Sequence, residues 1–376
     1  MKIALSALQQ RHFLTGTGRY IAELYRHLPR IAPEHEFALY TKTDQQGLFV
    51  ADGANHRVRV LPQCPISPTK RSLWELVKFA SVLRADGVGL YHGPANFLPP
   101  RKVCPYVLTL HDMFFFRNPE RTGFVRSQYW RQTLRATWRH ADVIITDSEF
   151  SRSEITRFLP VPQDRIRVIP LGVDEAFLTD MPTTLRTEMR ASLKLDLPYA
   201  LYVGRLDPDK NVRRVVEAFA AEKDTSCRGH LLAIAGAKDF QSSGITDLVA
   251  SLGITDRVRL LGYVEERHLV ALYQECAVLC YPSLNEGFGL PPLEGMAAGV
   301  PVVTSNVSSL PEVVGDAAIQ VDPFSVSAIA AGIASALDPV RGVELREAGR
   351  ARARTFTWER TARMTLDCYK EALARG

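Results

Sequence analysis

No apolar run in this chain is long enough to cross a bilayer, and the opening residues MKIALSAL pass into Gln9, Gln10 and Arg11 without the pattern of a secretory leader. Cysteine is sparse and scattered, at Cys64, Cys104, Cys227, Cys276, Cys280 and Cys368. Cys276 and Cys280 lie four positions apart, but no His or Cys set at metal-binding spacing completes them. The thiols are therefore expected to be reduced core residues of a cytoplasmic protein. Also missing are a P-loop, a Gly-x-Ser-x-Gly elbow, a zinc-hydrolase helix and any nucleic-acid-binding module. Those absences set aside several large enzyme classes, and nucleic acid as a partner. Net charge is modest at +5 but unevenly placed, +7 over residues 1–180 and −2 over the rest, so an acidic partner is expected for the first half.

What the sequence does contain is concentrated in the stretch EGFGLPPLEGMAAGVP, residues 286–301. Gly287 and Gly289 flank Phe288 and let backbone amides approach a ligand closely. Pro291 and Pro292 suit a first helical turn, and Gly299 with Pro301 supplies the stop. The helix start faces whatever the loop holds, and polyphosphate is its natural occupant. Glu286 would repel phosphate, so its carboxylate is better suited to sugar hydroxyls. Glu294 is expected in the first helical turn, where dipole complementation competes with hydroxyl recognition.

At 376 residues two domains are expected. Short apolar runs at 2–8, 36–41, 58–61, 89–92, 103–111, 143–147 and 167–170 alternate with helical spacing, and a second series follows at 199–204, 231–236, 258–262, 278–282 and 300–305. Pro182 and its threonine neighbours mark the expected linker. Thr15-Gly16-Thr17-Gly18-Arg19 lies between the first strand and a helix from Tyr20 to Leu28, a phosphate-binding arrangement that many α/β turns share for steric reasons alone. Two basic, aromatic helices are expected at 68–85 and 124–140. Each either covers a sheet with its cations in water or sits among anionic lipid headgroups or near a lipid-linked diphosphate.

Gly204, Arg205 and Lys210 follow the first strand of the second series, where open α/β sheets bind ligands, and two cations there suit a diphosphate. Asp207 and Asp209 read as turn or cap residues rather than a metal pair. His111 and Asp112 end a strand of the first series. Asp112 either orients His111 or caps the next turn, and the sequence leaves both open. Asp147 and Ser148 read as a cap, and the amides beside Glu312 offer another place for phosphate.

Taken together, Gly204-Arg205 with Lys210, the run Pro282 to Glu294 with its Glu–seven residues–Glu spacing, and Gly299-Val300-Pro301-Val302-Val303 resemble family 4 of the retaining glycosyltransferases. Thr15 to Tyr20, His111-Asp112 and the closing Phe356-Thr357-Trp358 match as well, so the resemblance covers essentially the whole chain. The first glycine segment is Thr-Gly-Thr-Gly where the family commonly has Gly-Gly-x-Gly.

The resemblance implies the α/β GT-B fold, two Rossmann-like doubly wound parallel-sheet domains facing across a cleft. It assigns residues 1–181 to acceptor binding, 182–355 to the nucleotide sugar, and 356–376 to a helix crossing back. It also implies that Arg205 and Lys210 bind the donor diphosphate and that Gly287, Phe288, Gly289 and Leu290 cradle sugar and phosphate. Glu286 would hold sugar hydroxyls, and Glu294 the ribose. Gly16 and Gly204 would approach the donor, and His111 would position the sugar near the reacting carbon. Thr17, Gly18, Arg19 and Asp112 would lie on the acceptor side, and Tyr263-Val264 near the base.

No carboxylate nucleophile stands out, so same-face substitution without metal or other cofactor is expected. His111-Asp112, the segment 149–152 and Asn285 resemble bacterial mannosyl- and rhamnosyltransferases of surface polysaccharides. GDP-mannose is the expected donor, ahead of GDP-rhamnose, UDP-glucose and dTDP-rhamnose. The expected acceptor is a glycan or lipid-linked oligosaccharide, with peripheral contact to the anionic inner face of the cell membrane. A nucleotide-sugar epimerase and a non-catalytic nucleotide-sugar binder are the readings from other classes.

Overall fold

The apolar runs form parallel strands; the inner ones are buried on both faces, as a sheet covered by helices on both sides requires, and the edge strands are partly exposed. The computed structural model describes residues 1–10, 16–51, 53–117, 124–223, 225–236 and 242–376, so Thr15 and the side chain of Arg126 lie outside the described residues. The chain divides into two units, residues 1–172 with 357–376, and residues 173–356.

The first unit carries β1 (Lys2–Ser6), β2 (Glu36–Thr41), β3 (His56–Val60), β4 (Leu90–Gly93), β5 (Tyr106–Thr109), β6 (Val143–Thr146) and β7 (Ile166–Val168), in the order β3-β2-β1-β4-β5-β6-β7. The second carries β8 (Tyr199–Val203), β9 (Leu231–Ala235), β10 (Val258–Gly262), β11 (Val278–Tyr281), β12 (Val302–Ser305) and β13 (Ile319–Val321), in the order β10-β9-β8-β11-β12-β13. Every pairing is parallel. Both sheets are Rossmann-like and doubly wound, and strand order reverses between β1 and β4 in one and between β8 and β11 in the other. Crevices outside the carboxyl ends of strands at such reversals are where this architecture binds ligands. The edge strand β13, three residues long and half exposed, was not anticipated from the sequence.

The passage between units falls at 172/173 rather than at 181/182. Residues after Val173 pack with the second unit: Phe177 meets the Tyr273 ring edge-on at 5.3 Å, and Met181 N–H donates to Gln274 at 2.9 Å. Pro182 is the N-cap of a helix, Thr183–Ser192, and not part of a linker. Val173 N–H donates to the Phe356 carbonyl, and the first unit resumes at Thr357, which caps the helix Trp358–Arg375. That helix buries Trp358, Thr361, Ala362, Thr365, Cys368, Tyr369 and Ala372, an i, i+3/i+4 stripe, and packs on the helix Gly16–Ile31.

Gly16, Thr17, Gly18 and Arg19 form the first turn of the helix Gly16–Ile31 instead of a loop before it. The expected helix 68–85 is continuous but passes through a π turn, Glu75–Phe79, where Glu75 is 1 % exposed beside buried Arg71 and Lys42. In the helix Phe124–Thr137 the guanidinium groups of Arg131 and Arg135 lie over the Phe116 ring at 5.3 and 5.5 Å, so the arginine row is partly packed and not wholly in water.

Candidate functional site

In the second unit the loops after β8, β11 and β12 are tied together by short polar side chains. Asn211, in the left-handed region at φ 59°, donates from Nδ2 to the Pro282 carbonyl at 2.9 Å and the Pro323 carbonyl at 2.7 Å. Ser283 donates to the Asp209 carbonyl at 3.0 Å, and Leu284 N–H to the same oxygen at 2.8 Å. Ser309 Oγ donates to the carbonyls of Glu286 (3.0 Å) and Phe288 (2.7 Å), while Ser308 Oγ accepts from Glu286 N–H at 3.2 Å. A trans peptide points its N–H opposite to its C=O, so the Gly287 and Gly289 amides are aimed away from Ser309.

Gly289, at φ 118°, is the N-cap of the helix Leu290–Ala297, and a Cβ there would sit 2.5 Å from Leu310. Gly236 admits a second close approach, since a Cβ on it would overlap the Gly204 carbonyl at the C-terminal end of β8.

Lys210 and Glu286 meet at this reversal of strand order. Lys210 Nζ lies 2.5 Å from Glu286 Oε1, and the Tyr281 hydroxyl donates to the same oxygen at 2.5 Å. Burial, then the Glu286 charge, holds the Tyr281 phenol well above its usual range, so it remains a donor. Tyr281 stacks on Tyr202, whose hydroxyl donates to the Arg205 carbonyl at 3.0 Å. The two tyrosines were missed as site residues because in sequence they are only strand ends.

Arg205 stands apart from this pair. Its guanidinium is 70 % exposed and pairs with Asp207 at 2.8 Å, so Asp207 serves as its counter-ion and not as a side-chain cap. Glu294 is not in the first helical turn but in the second. It is buried, and Oε2 accepts from the Tyr273 hydroxyl at 2.8 Å, which removes the simple dipole reading. Leu290 opens the helix, Val264 is buried, and Tyr263 beside it is 68 % exposed. Among the described residues no His, Cys, Asp and Glu cluster could hold a metal ion.

In the first unit His111 follows β5 and Asp147 follows β6. His111 Nδ1 is 2.7 Å from Asp147 Oδ2, and Nε2 donates to the Pro94 carbonyl at 3.0 Å. Burial pulls the His111 pKa down, but the Asp147 charge and hydrogen bond, the Pro94 carbonyl and the Asp112 charge outweigh it, and the net shift is upward. Burial raises Asp147 more than His111 lowers it.

Asp112 instead accepts from Phe114 N–H at 3.0 Å, so it caps the turn and Asp147 orients the ring. Ser148 is the cap of the helix Glu149–Phe158, so only half of the expected Asp147-Ser148 cap is present. No local signal marks Asp147; strand register brings it to His111, since Leu108 pairs with Ile144 and Thr109 with Ile145, which carried two residues further sets 111 beside 147. Tyr20, the helical residue that follows Gly16, Thr17, Gly18 and Arg19, packs against the His111 ring with perpendicular planes and centroids 4.9 Å apart.

Comparison with known proteins agrees with this architecture. Residues 14–177 match the family described as Glycosyltransferase Family 4, and residues 186–356 the family described as Glycosyl transferases group 1. Sucrose-phosphate synthase from Thermosynechococcus elongatus superposes with a TM-score of 0.80 at 23 % identity, over 100 % of both chains. O-antigen chain mannosyltransferase B of Escherichia coli is 33 % identical over 98 % of this chain and 100 % of its own. The MMP alpha-(1->4)-mannosyltransferase of Mycolicibacterium hassiacum is 30 % identical over 72 % of this chain and 66 % of its own.

The fold is that of the GT-B class, and the two family matches together with the full-length likeness to a mannosyltransferase make the chain a glycosyltransferase. The chain belongs to family 4 of the glycosyltransferases, and its substrates are a nucleotide-sugar donor and a glycan acceptor.

Proposed function

We propose that the protein transfers mannose from GDP-mannose to a hydroxyl of a growing, lipid-linked surface polysaccharide, with retention of configuration. The observation that carries the site assignment is the Lys210–Glu286–Tyr281 cluster beneath the Gly287–Gly289 turn. The choice of mannose rests on the full-length likeness to an O-antigen mannosyltransferase. Glu286 no longer conflicts with an anion site, because Lys210 neutralises it and leaves its second oxygen for a sugar hydroxyl.

In the transfer step the bond between the sugar anomeric carbon and the diphosphate oxygen breaks, and its electron pair stays on phosphate. The acceptor hydroxyl oxygen bonds the anomeric carbon on the same face and passes its proton to the departing phosphate. Lys210, Arg205 and the amides from Gly287 to Leu290 stabilise the negative charge, and no metal is called on. Glu286 grips the hexose and Glu294 the ribose, and in the first unit His111 and Gly16 are the residues assigned to the donor sugar. Thr17, Gly18, Arg19 and Asp112 lie toward the acceptor, and Val264 toward the base.

Incubation with GDP-mannose, GDP-rhamnose, UDP-glucose and dTDP-rhamnose, each with and without glycan acceptor and with EDTA, tests this. Acceptor-dependent GDP release from GDP-mannose, unchanged by EDTA, is the expected result. Turnover with another donor alone overturns the mannose assignment. Isomerised sugar without transfer favours an epimerase, and binding without turnover a silent binder.

The partner side of the reading is an anionic membrane face. On the segment leading into and through the helix 68–85, Ile66, Leu73 and Val77 are 54 %, 64 % and 62 % exposed, and Lys70, Lys78 and Arg84 are exposed beside them. The acidic residue within that helix, Glu75, is buried. Apolar side chains set among cations complement acidic headgroups. A lipid-linked acceptor would bring the enzyme to the inner face of the cell membrane.

A further inference from the structure

His111 is bonded on both sides. A carbonyl oxygen only accepts, so the contact with Pro94 places a proton on Nε2. The 2.7 Å contact with Asp147 then shares a second proton between Nδ1 and the carboxylate. Written as imidazolium and carboxylate, or as imidazole and carboxylic acid, the pair holds the same proton and no net charge, the form burial tolerates. The His111 and Asp147 side chains are only 12 % and 3 % exposed. Asp147 Oδ1 has no hydrogen-bond partner among the described residues, which further favours keeping that proton.

The ring also has an aromatic neighbour. Tyr20 stands edge-on to it, and the Tyr20 hydroxyl is 3.0 Å from Thr109 Oγ1. Thr109 Oγ1 is 2.7 Å from His92 Nε2, and His92 Nδ1 is 2.8 Å from the Tyr369 hydroxyl of the C-terminal helix.

We propose that Asp147 is a positioning residue for glycosyl transfer: by taking the Nδ1 side of His111 while Pro94 takes the Nε2 side, it fixes the ring in one orientation and one protonation state against the donor sugar. The inference rests on the reading that His111 borders the sugar. A ring with both nitrogens engaged neither donates a proton to substrate nor removes one. Pair neutrality matters where positive charge develops on the sugar, because an unpaired imidazolium would oppose it.

The other titratable groups around the pair are Asp112 on the same loop, Tyr20 from the helix Gly16–Ile31 and His92 from β4. Asp112 acts on His111 in the same direction as Asp147. Burial, then the His111 charge, lowers His92 to about 3, so it stays neutral, and burial keeps Tyr20 protonated.

Two variants of the full-length enzyme separate orientation from charge. Asp147→Asn can donate its amide to a neutral Nδ1 while Nε2–H stays on Pro94. Asp147→Ala leaves the ring free to turn. With GDP-mannose and acceptor, Asp147→Ala is expected to lose about 100-fold in kcat with donor KM within about 2-fold, the cost of a misplaced contact. Asp147→Asn is expected to stay within about 5-fold of wild type and to lose the alkaline limb of the kcat profile. In the wild type that limb reports loss of the shared proton as pH rises, which leaves a buried negative charge. The asparagine variant has no such proton to lose.

Proton NMR of the wild type should show a strongly low-field resonance from the His111–Asp147 hydrogen bond, absent in Asp147→Asn. A wild type without that resonance, or Asp147→Asn with an unchanged alkaline limb, overturns the proposal. If the resonance is present and lost as expected while Asp147→Ala turns over like wild type, the pair exists but His111 does not border the sugar. That outcome overturns the proposal through its premise alone.

Discussion

Lys210 and Glu286, seventy-six positions apart, share a 2.5 Å contact where strand order reverses between β8 and β11. Each is held from outside the pair: Lys210 by the turn that Asn211 ties to Pro282 and Pro323, Glu286 by Ser308, Ser309 and Tyr281. Both side chains are mostly out of water, 18 % and 12 % exposed, so removing either leaves an uncompensated, partly buried charge. Lys210→Met and Glu286→Gln are each expected to lower kcat/KM for the donor by about 100- to 1,000-fold, the scale of losing one preorganised electrostatic contact. The double variant is expected to fall little further than the worse single one. Steady-state kinetics on all four proteins checks this, and fully additive losses would mean that the two do not act as a unit.

Tyr281→Phe isolates the phenol. It removes one donor to Glu286 while retaining the ring stacked on Tyr202. A hydrogen bond to a charged group contributes about 1.5–3 kcal/mol, and Lys210 remains to share the carboxylate. The expected outcome is a several-fold rise in donor KM with a smaller change in kcat, measured with the same donor. A drop in kcat alone would instead place Glu286 in the transition state rather than in donor binding.

Glu75 gives the first unit a pH-dependent stability. Burial raises its pKa to about 7, against the lowering influence of Arg71 and Lys42. A carboxyl raised above its unfolded value near 4.3 binds its proton more tightly when folded. Its stabilising contribution is therefore complete below about pH 4 and is lost as pH rises toward 7. Glu75→Gln stays neutral throughout, so the stability difference between variant and wild type should shift in favour of the variant across that window. The expected size is a few kcal/mol at most, and thermal midpoints of both proteins between pH 4.5 and 8 measure it. A difference that stays constant with pH would show that Glu75 ionises normally.

What could be read from the sequence was whatever depended on neighbours along the chain. All the strands but β13 announced themselves as apolar runs, and the Gly287–Gly289 turn, its helix and both glutamates lay within one short stretch. What depended on lateral pairing did not show. Asp147 acquires its partner only once β5 and β6 are in register, and Tyr281 acquires Tyr202 only once β11 lies against β8. The unit boundary was misplaced for a related reason. Pro182 looks like a linker residue locally, but Phe177 and Met181 before it are already committed to Tyr273 and Gln274 almost a hundred positions later. The π turn at Glu75–Phe79 has no local signal of its own, since its residues carry ordinary helical spacing.

The exposed side chains of the helix 68–85 lead to a prediction that separates a membrane face from an ordinary solvated one. Leu73 and Val77 are one turn apart and more than half exposed, with Lys70 and Lys78 beside them, so a bilayer surface would meet apolar groups and cations together. Two contributions should then be separable. The electrostatic part should weaken with salt, because the screening length falls from about 10 Å at 0.1 M to about 3 Å at 1 M. The apolar part should respond to Leu73→Asp with Val77→Asp, which puts two negative charges where aliphatic groups would enter the interface. Co-sedimentation with vesicles of mixed zwitterionic and anionic lipid is expected to retain the wild-type protein at low salt, to retain less at high salt, and to lose the double variant at both. Since neither side chain is buried, the variant should keep its fold and its turnover on a water-soluble glycan acceptor. Wild-type retention by zwitterionic vesicles alone would remove the cations from the explanation, and equal retention of the double variant would remove this face altogether.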